Sequence, residues 1–299
     1  MMQENNMNPR ITVAIVTRNR ASHLTDCLAS LVRQKTKPPG VLVVNNNSVD
    51  TTSEVVRSFS RSLAIREVIE KNLGYPNVYN RALRECTSTW VAFIDDDCIA
   101  TPQWFNQAAQ AVCRHATDAA ILGASQNFYS NNVFATAFQF SNAWWRLRSI
   151  KRGGVCDYRV LDSRNILYNL RLLRSHGVHF DSRFNVGAED SDLGLQIQQK
   201  GLTASYAATM VVYHKEPHSL SQYVKKKASY ARSARALASK WGQIKTPGTE
   251  EAKIYGIAKS FRVATKEMTV TKKILCFFVV VSDLVISKCH LYDYLSAVI

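Results

Sequence analysis

Apolar positions in the first third of the chain alternate between two periods. Residues 11–17 (ITVAIVT) form a β-branched run of strand length, and Leu24, Cys27, Leu28, Leu31 and Val32 then recur at the spacing of one helix face. Pro38, Pro39 and Gly40 break that helix before a second apolar run, residues 41–44, which passes into Asn45, Asn46 and Asn47. The alternation continues with a helix over 49–59, a strand over 63–70, a helix over 76–86 and a strand over 90–94 that runs directly into Asp95, Asp96 and Asp97. Strands that are apolar throughout, separated by helices, predict an α/β fold with a Rossmann-like, mainly parallel sheet covered on both faces. Ligands bind beyond the carboxyl ends of such strands. Thr17, the asparagine loop and the aspartate cluster should therefore share one rim.

The middle of the chain is less regular. A loop leads to a helix that starts near Glu189, with acidic first-turn residues, and stops at Gly201; a strand follows over 204–214. Beyond Lys215 the composition turns basic, predicting helices over 223–241 and 252–268 and an apolar segment over 274–286. That segment contains Asp283 and is shorter than the ~20 apolar residues of a membrane-spanning helix. It reads as a buried or interfacial helix. The expected division is a catalytic domain over 1–215 and a basic helical extension over 216–299.

With 299 residues, 46% of them hydrophobic, the chain can bury a large core, and its formal charge of +15 calls for an anionic partner. Seven scattered cysteines without CxxC spacing predict reduced thiols rather than a disulfide frame or zinc site. The first ten residues lack a basic region followed by an apolar core. A cytoplasmic location is expected.

Three adjacent carboxylates at a strand end repel one another unless a cation neutralises them. If the chain stayed extended, Asp95 and Asp97 would point to one side, and their hard oxygens suit Mg²⁺ or Mn²⁺. The competing reading is a solvated acidic turn with Asp97 capping the helix after Pro102. Taken singly, Asp190 reads equally well as a first-turn residue complementing the helix dipole, and His214 as a structural histidine.

The order of the segments TRNR, VVNNNSVDTT, NLGYPNVYNRAL, FIDDDC, HFDSRF, GAEDSDLGLQIQQKG and YHK resembles family 2 inverting glycosyltransferases of the GT-A fold, over about residues 10–220. The resemblance implies that Asp95 meets the donor ribose, that Asp97 binds the divalent metal on the diphosphate, and that Asp96 lies with them in the DxD motif. It implies Asp190 as catalytic base beside Glu189, and His214 as a further metal ligand. Thr17, Asn45 and Asn47 match the base-binding rim; Asn72, Gly74, Asn80 and Arg81 match the segment that closes over ribose and diphosphate. Three departures point to an atypical donor pocket: Asn45 in place of an Asp, Tyr75 and Tyr79 in place of a small residue and an Arg, and Gln196 or Gln198 in place of an Arg.

The implied partners are a nucleotide-sugar donor, a UDP-sugar foremost, and a glycan or lipid-linked acceptor. A sugar-1-phosphate nucleotidyltransferase shares the fold class and metal logic, but VAIVTRNR lacks a glycine-rich phosphate loop. Basic and aromatic residues interleave after Lys215, which would also suit nucleic acid. The same pattern fits an anionic membrane surface better, and no nucleic-acid partner is expected.

Overall fold

The computed structural model describes residues 10–151, 154–185, 187–242, 261–262 and 264–288. The N-terminal alternation takes the predicted form: β1 (Ile11–Thr17), α1 (Ala21–Val32), β2 (Val41–Asn45), α2 (Thr52–Ser58), β3 (Ile65–Ile69), α3 (Tyr75–Glu85) and β4 (Trp90–Ile94). On α1 the periodic residues Leu24, Cys27, Leu28 and Leu31 are fully buried, as one apolar stripe requires. After β4 the chain makes a tight turn at the aspartates into the short β5 (Cys98–Ala100), followed by α4 (Trp104–Arg114), β6 (Ala120–Asn127) and α5 (Val133–Ser149).

Two short strands, β7 (Ile150–Lys151) and β8 (Gly154–Val155), precede β9 (Asn165–Asn169), α6 (Leu170–Ser175), α7 (Glu189–Gln199) and β10 (Ala204–His214). The strands lie in the order β3-β2-β1-β4-β9-β6-β10-β8-β7, with β5 pairing to β10. β1 is parallel to β2 and β4, and β6 is parallel to β10. The sheet is mixed, because β9 runs antiparallel to both β4 and β6 and joins the two parallel sets. One apolar layer, with α1 and α4, covers one face of the sheet, and another, with α3, α6 and α7, covers the other.

Sheet continuity near the site depends on one buried amide. Register shifts in β10 between Ala207 and Val211, and Asn165 Nδ2 donates to the carbonyl of Met210 at 2.8 Å and to that of Ala124 at 2.7 Å. Asn165 Oδ1 accepts from Trp104 Nε1 at 2.8 Å, so the fully buried side chain leaves no polar group unpaired. The bulge is thereby satisfied from inside the core.

The last elements are α8 (Leu220–Trp241) and α9 (Val270–Lys288). The helix expected over 252–268 falls for the most part outside the described residues. α9 buries Cys276 and Val280 against Phe138 and Phe140 of α5, while Ile274, Leu275, Phe277, Phe278 and Val281 are exposed. Asp283 is buried and receives Lys227 Nζ of α8 at 2.8 Å, which ties the two helices together. No helix among the described residues is long and apolar enough to cross a membrane.

Candidate active site

The chain does not stay extended after β4, and its turn splits the three aspartates. Cys98 N donates to the Asp95 carbonyl at 3.0 Å, closing the turn. Asp96 and Asp97 share Arg20, whose Nη1 lies 2.8 Å from Asp96 Oδ1 and whose Nη2 lies 2.6 Å from Asp97 Oδ2. Thr17 Oγ1, at the end of β1, donates to Asp96 Oδ2 at 2.7 Å. Asp95 turns the other way, where the Tyr79 hydroxyl donates to its Oδ1 at 3.3 Å.

These environments separate the three charges. Burial opposes ionisation of Asp97, yet His214 and Arg20 overcome it and hold Asp97 well below the usual carboxylate range. Burial, then the Asp97 charge, pushes Asp95 up to about 7, and burial takes Asp96 to about 7 despite Arg20. The imidazole of His214 closes the cluster from the end of β10, with Nε2 3.2 Å from Asp97 Oδ1 and Nδ1 3.2 Å from Glu216 Oε2. Burial disfavours its charge, but Asp97 and Glu216 raise it to about 10.

A divalent cation has a place to bind here. Asp97 Oδ1 is buried and, among the described residues, faces only the His214 imidazole at 3.2 Å without an aligned hydrogen bond, and ligand atoms of Asp97, Cys98 and His214 lie within 4.8 Å of one another. Burial keeps the Cys98 thiol far above its ordinary range, and Asp97 and Glu216 hold His214 as an imidazolium, so the Asp97 carboxylate is the ligand ready as it stands and the imidazole would join it on giving up its proton to an arriving cation. Asp95 is not among these converging atoms.

Glu189 and Asp190 open α7 after Gly187, which sits at φ +126. The conformation requires glycine, and a Cβ there would lie 2.5 Å from Ser233 Oγ of α8 and have to displace that hydroxyl. Asp190 is clamped by Ser163, whose backbone N donates to Oδ2 at 3.1 Å and whose Oγ donates to Oδ1. Burial, then the neighbouring Glu189, pushes Asp190 well above its ordinary value; burial takes Glu189 to about 7, and its Oε2 has no hydrogen-bond partner among the described residues.

The remaining predicted residues divide into two groups. Asn45 is buried and committed: its Nδ2 donates to Glu67 Oε1 at 2.8 Å, and its Oδ1 accepts from Ser48 N at 2.9 Å. Asn47 stands exposed at φ +55, and the Asn72 side chain is exposed on the facing loop. Asn46, the middle residue of the asparagine loop, joins the two loops by donating to the Asn72 carbonyl at 2.8 Å and accepting from Gly74 N at 3.0 Å. Asn80 spends both ends of its amide on the Phe180 backbone, at 2.7 and 3.0 Å, while Arg81 pairs with Glu85 at 3.0 Å. Neither Asn80 nor Arg81 reaches the aspartates.

A cavity of about 560 Å³ joins Asp95, His214, Glu189 and Asp190. Its floor holds an ionic chain absent from the sequence reading: Asp162 lies 2.6 Å from Arg164 Nε, and Arg164 Nη1 lies 3.1 Å from Glu216. Arg20 lay within a quoted motif, but nothing local ties it to aspartates so far along the chain.

Residues 12–169 match the model of glycosyl transferase family 2, more than half of the chain, and the chain belongs to that family. It is 33% identical over 128 residues to the validoxylamine A glucosyltransferase of Streptomyces hygroscopicus subsp. limoneus, covering 42% of this chain and 28% of that protein. It is 26% identical over 240 residues to the chondroitin synthase of Escherichia coli, covering 69% of this chain and 35% of that protein. The chain thus spans about a third or less of these curated relatives. Among solved structures, the mannosyltransferase PcManGT from Pyrobaculum calidifontis, in complex with GDP-Man and Mn²⁺, superposes with a TM-score of 0.64 at 19% identity, covering 98% of this chain and 87% of that one. TarS 1-349 of S. aureus in complex with UDP gives 0.56 at 19%, covering 75% and 65%. The fold is GT-A.

Proposed function

We propose that the chain is an inverting, metal-dependent glycosyltransferase that moves one sugar from a nucleoside-diphosphate donor to a hydroxyl of a glycan or lipid-linked acceptor. The observation that carries this reading is that one cavity joins Asp95 and His214 to Glu189 and Asp190. The groups suited to a metal-bound diphosphate and the groups suited to taking a proton face the same space.

Mn²⁺ or Mg²⁺, held by Asp97 and His214 beside Asp95, would supply Lewis-acid stabilisation of the departing diphosphate. Asp190, fixed by Ser163, takes the acceptor hydroxyl proton as that oxygen attacks C1 from the face opposite the leaving group. Inversion follows from the single displacement. Thr17 holds Asp96, and Asn45, Asn47, Asn72 and Gly74 shape the donor rim.

TarS was solved with UDP and UDP-GlcNAc and PcManGT with GDP-Man, which supports a nucleotide-sugar donor carrying a hexose or N-acetylhexosamine. A UDP-sugar is the first candidate. Cell-surface polysaccharide synthesis, with the protein in the cytoplasm and its exposed α9 face on the inner membrane surface, fits the basic extension. The test is a screen of UDP-Glc, UDP-GlcNAc and GDP-Man, with and without Mn²⁺, for released nucleoside diphosphate. If none is bound or cleaved under any condition, the reading fails.

A further inference from the structure

One face of α8 forms a wall of the cavity. Lys226, Ser229, Tyr230 and Ser233 recur at intervals of three, one and three residues, the spacing of a single helical stripe, and all four line the space that Glu189 and Asp190 enter from the other side. The guanidinium groups on the cavity are committed to carboxylates. Arg164 is held by Asp162 at 2.6 Å, Arg146 by the same residue at 3.3 Å, and Arg159 by Asp157 at 2.8 Å. Lys226 differs. Its side chain is exposed, it has no carboxylate ion-pair partner among the described residues, and its ammonium rests 5.4 Å from the centre of the Tyr230 ring.

A second observation points to a polar ligand at the same wall. Ser233 is 6% exposed, and its Oγ has no hydrogen-bond partner among the described residues although it lies against Gly187. An unpaired buried hydroxyl is costly unless a ligand completes it. Tyr230 and Tyr75 remain 37% and 48% exposed, leaving flat aromatic surfaces of the kind that sugar rings cover.

We propose that this wall is an acceptor subsite for a sugar bearing an anionic group, carboxylate or phosphate, and that Lys226 is its specificity-determining residue. The inference rests on the glycosyl-transfer reading and deepens it. The donor rim, Thr17 and Asn45 to Asn47, lies outside the cavity lining, whereas α8 stands with Glu189 and Asp190, where the acceptor hydroxyl must sit. The ammonium meets the acceptor's charge there. The hydroxyl of Ser233 meets a neighbouring sugar oxygen.

The experiment compares binding of methyl glucuronide, methyl glucoside 6-phosphate and neutral methyl glucoside to the full chain by ligand-detected NMR, at low and high salt, for the native protein, Lys226→Met and Lys226→Arg. The native protein should favour at least one anionic glycoside over the neutral one by about tenfold, the size of one charge-assisted hydrogen bond. Carboxylate and phosphate are told apart by which probe carries the preference. The preference should vanish in Lys226→Met, persist in Lys226→Arg and shrink with salt. Equal binding of charged and neutral glycosides, or a preference that survives in Lys226→Met, overturns the proposal. UDP and GDP binding is measured in parallel with Mn²⁺. Weakened nucleotide binding in Lys226→Met would assign the ammonium to the donor and also overturn it. Absence of any nucleotide binding to the native protein instead counts against glycosyl transfer itself, while the glycoside comparison still reads the subsite.

Discussion

Lys240 Nζ lies 2.6 Å from Oδ1 of Asp192, a carboxylate with no exposed surface. Trp241 Nε1 donates to the same oxygen at 2.7 Å, and Gln196 Nε2 donates to Oδ2 at 2.7 Å. The end of α8 is thereby fastened to α7, whose first residues are Glu189 and Asp190. Removing one partner of a buried pair leaves an uncompensated charge. Lys240→Met should lower stability by about 2–3 kcal/mol, discounted for the partial exposure of the lysine. Chemical denaturation measures this, and an unchanged midpoint would show that the fastening carries no energy.

Asp190→Asn keeps the shape of the clamped carboxylate and removes its basicity. Turnover should fall by at least ~10²-fold, the usual scale for loss of a general base. Donor affinity should stay at the native level. The opposite split, weak donor binding with kcat intact, would move the base assignment to Glu189.

Asp97→Ala should abolish metal-dependent donor affinity, as should EDTA: the substitution removes the most acidic carboxylate of the cluster, and the chelator removes the cation it would hold. Isothermal titration of UDP and GDP with and without Mn²⁺ reads this directly. Undiminished activity in EDTA would sink the metal role.

The pH dependence of stability carries two opposite signs. Burial raises Glu189 from 4.5 to about 7, so the cost of its charge is absent below the ordinary value and complete above the raised one. Glu189→Gln should therefore stabilise the metal-free protein at about pH 8, by at most on the order of 3 kcal/mol, and leave it unchanged near pH 4. Asp162 behaves inversely. Burial works against its charge, but Arg164 and Arg146 hold it down to about 2, so its contribution is full above the ordinary carboxylate value and lost as pH falls toward 2. Asp162→Asn should flatten the acid limb of a melting-temperature profile.

Phe277 and Phe278 are 54% and 60% exposed on α9, next to Lys272 and Lys273. Each basic residue near an anionic bilayer adds about 1 kcal/mol of attraction that fades with salt. The full chain should float with anionic liposomes at low salt, and Phe277→Ser with Phe278→Ser should weaken the part that salt does not release. A protein that stays behind at low salt would exclude the attachment.

Local periodicity made most of the sheet legible. β1, β2 and β4 are apolar on both faces, α1 carries a single stripe, and Gly201 ends α7 as expected. β9 escaped notice because Asn165 and Asn169 bracket only three apolar residues, and the value of Asn165 lies in bonds to distant carbonyls. The site shows the same division. Asp95 to Asp97 and Glu189 to Asp190 stand out as carboxylate clusters, whereas Arg20, Asp162 and Ser163 become meaningful only when the fold gathers them. Asn80 and Arg81 sit on a motif-bearing helix, yet their hydrogen bonds go to Phe180 and Glu85.

Synthesis order gives β10 a particular burden. Until residues 204–214 leave the ribosome, β6 is an open sheet edge with unpaired backbone groups, and Asp97 has no imidazole beside it. A nascent chain stalled before that point would carry a nearly finished sheet ready to pair with another copy of itself. Arrival of the last long strand thus closes the edge against aggregation in the same step that brings His214 to the aspartates.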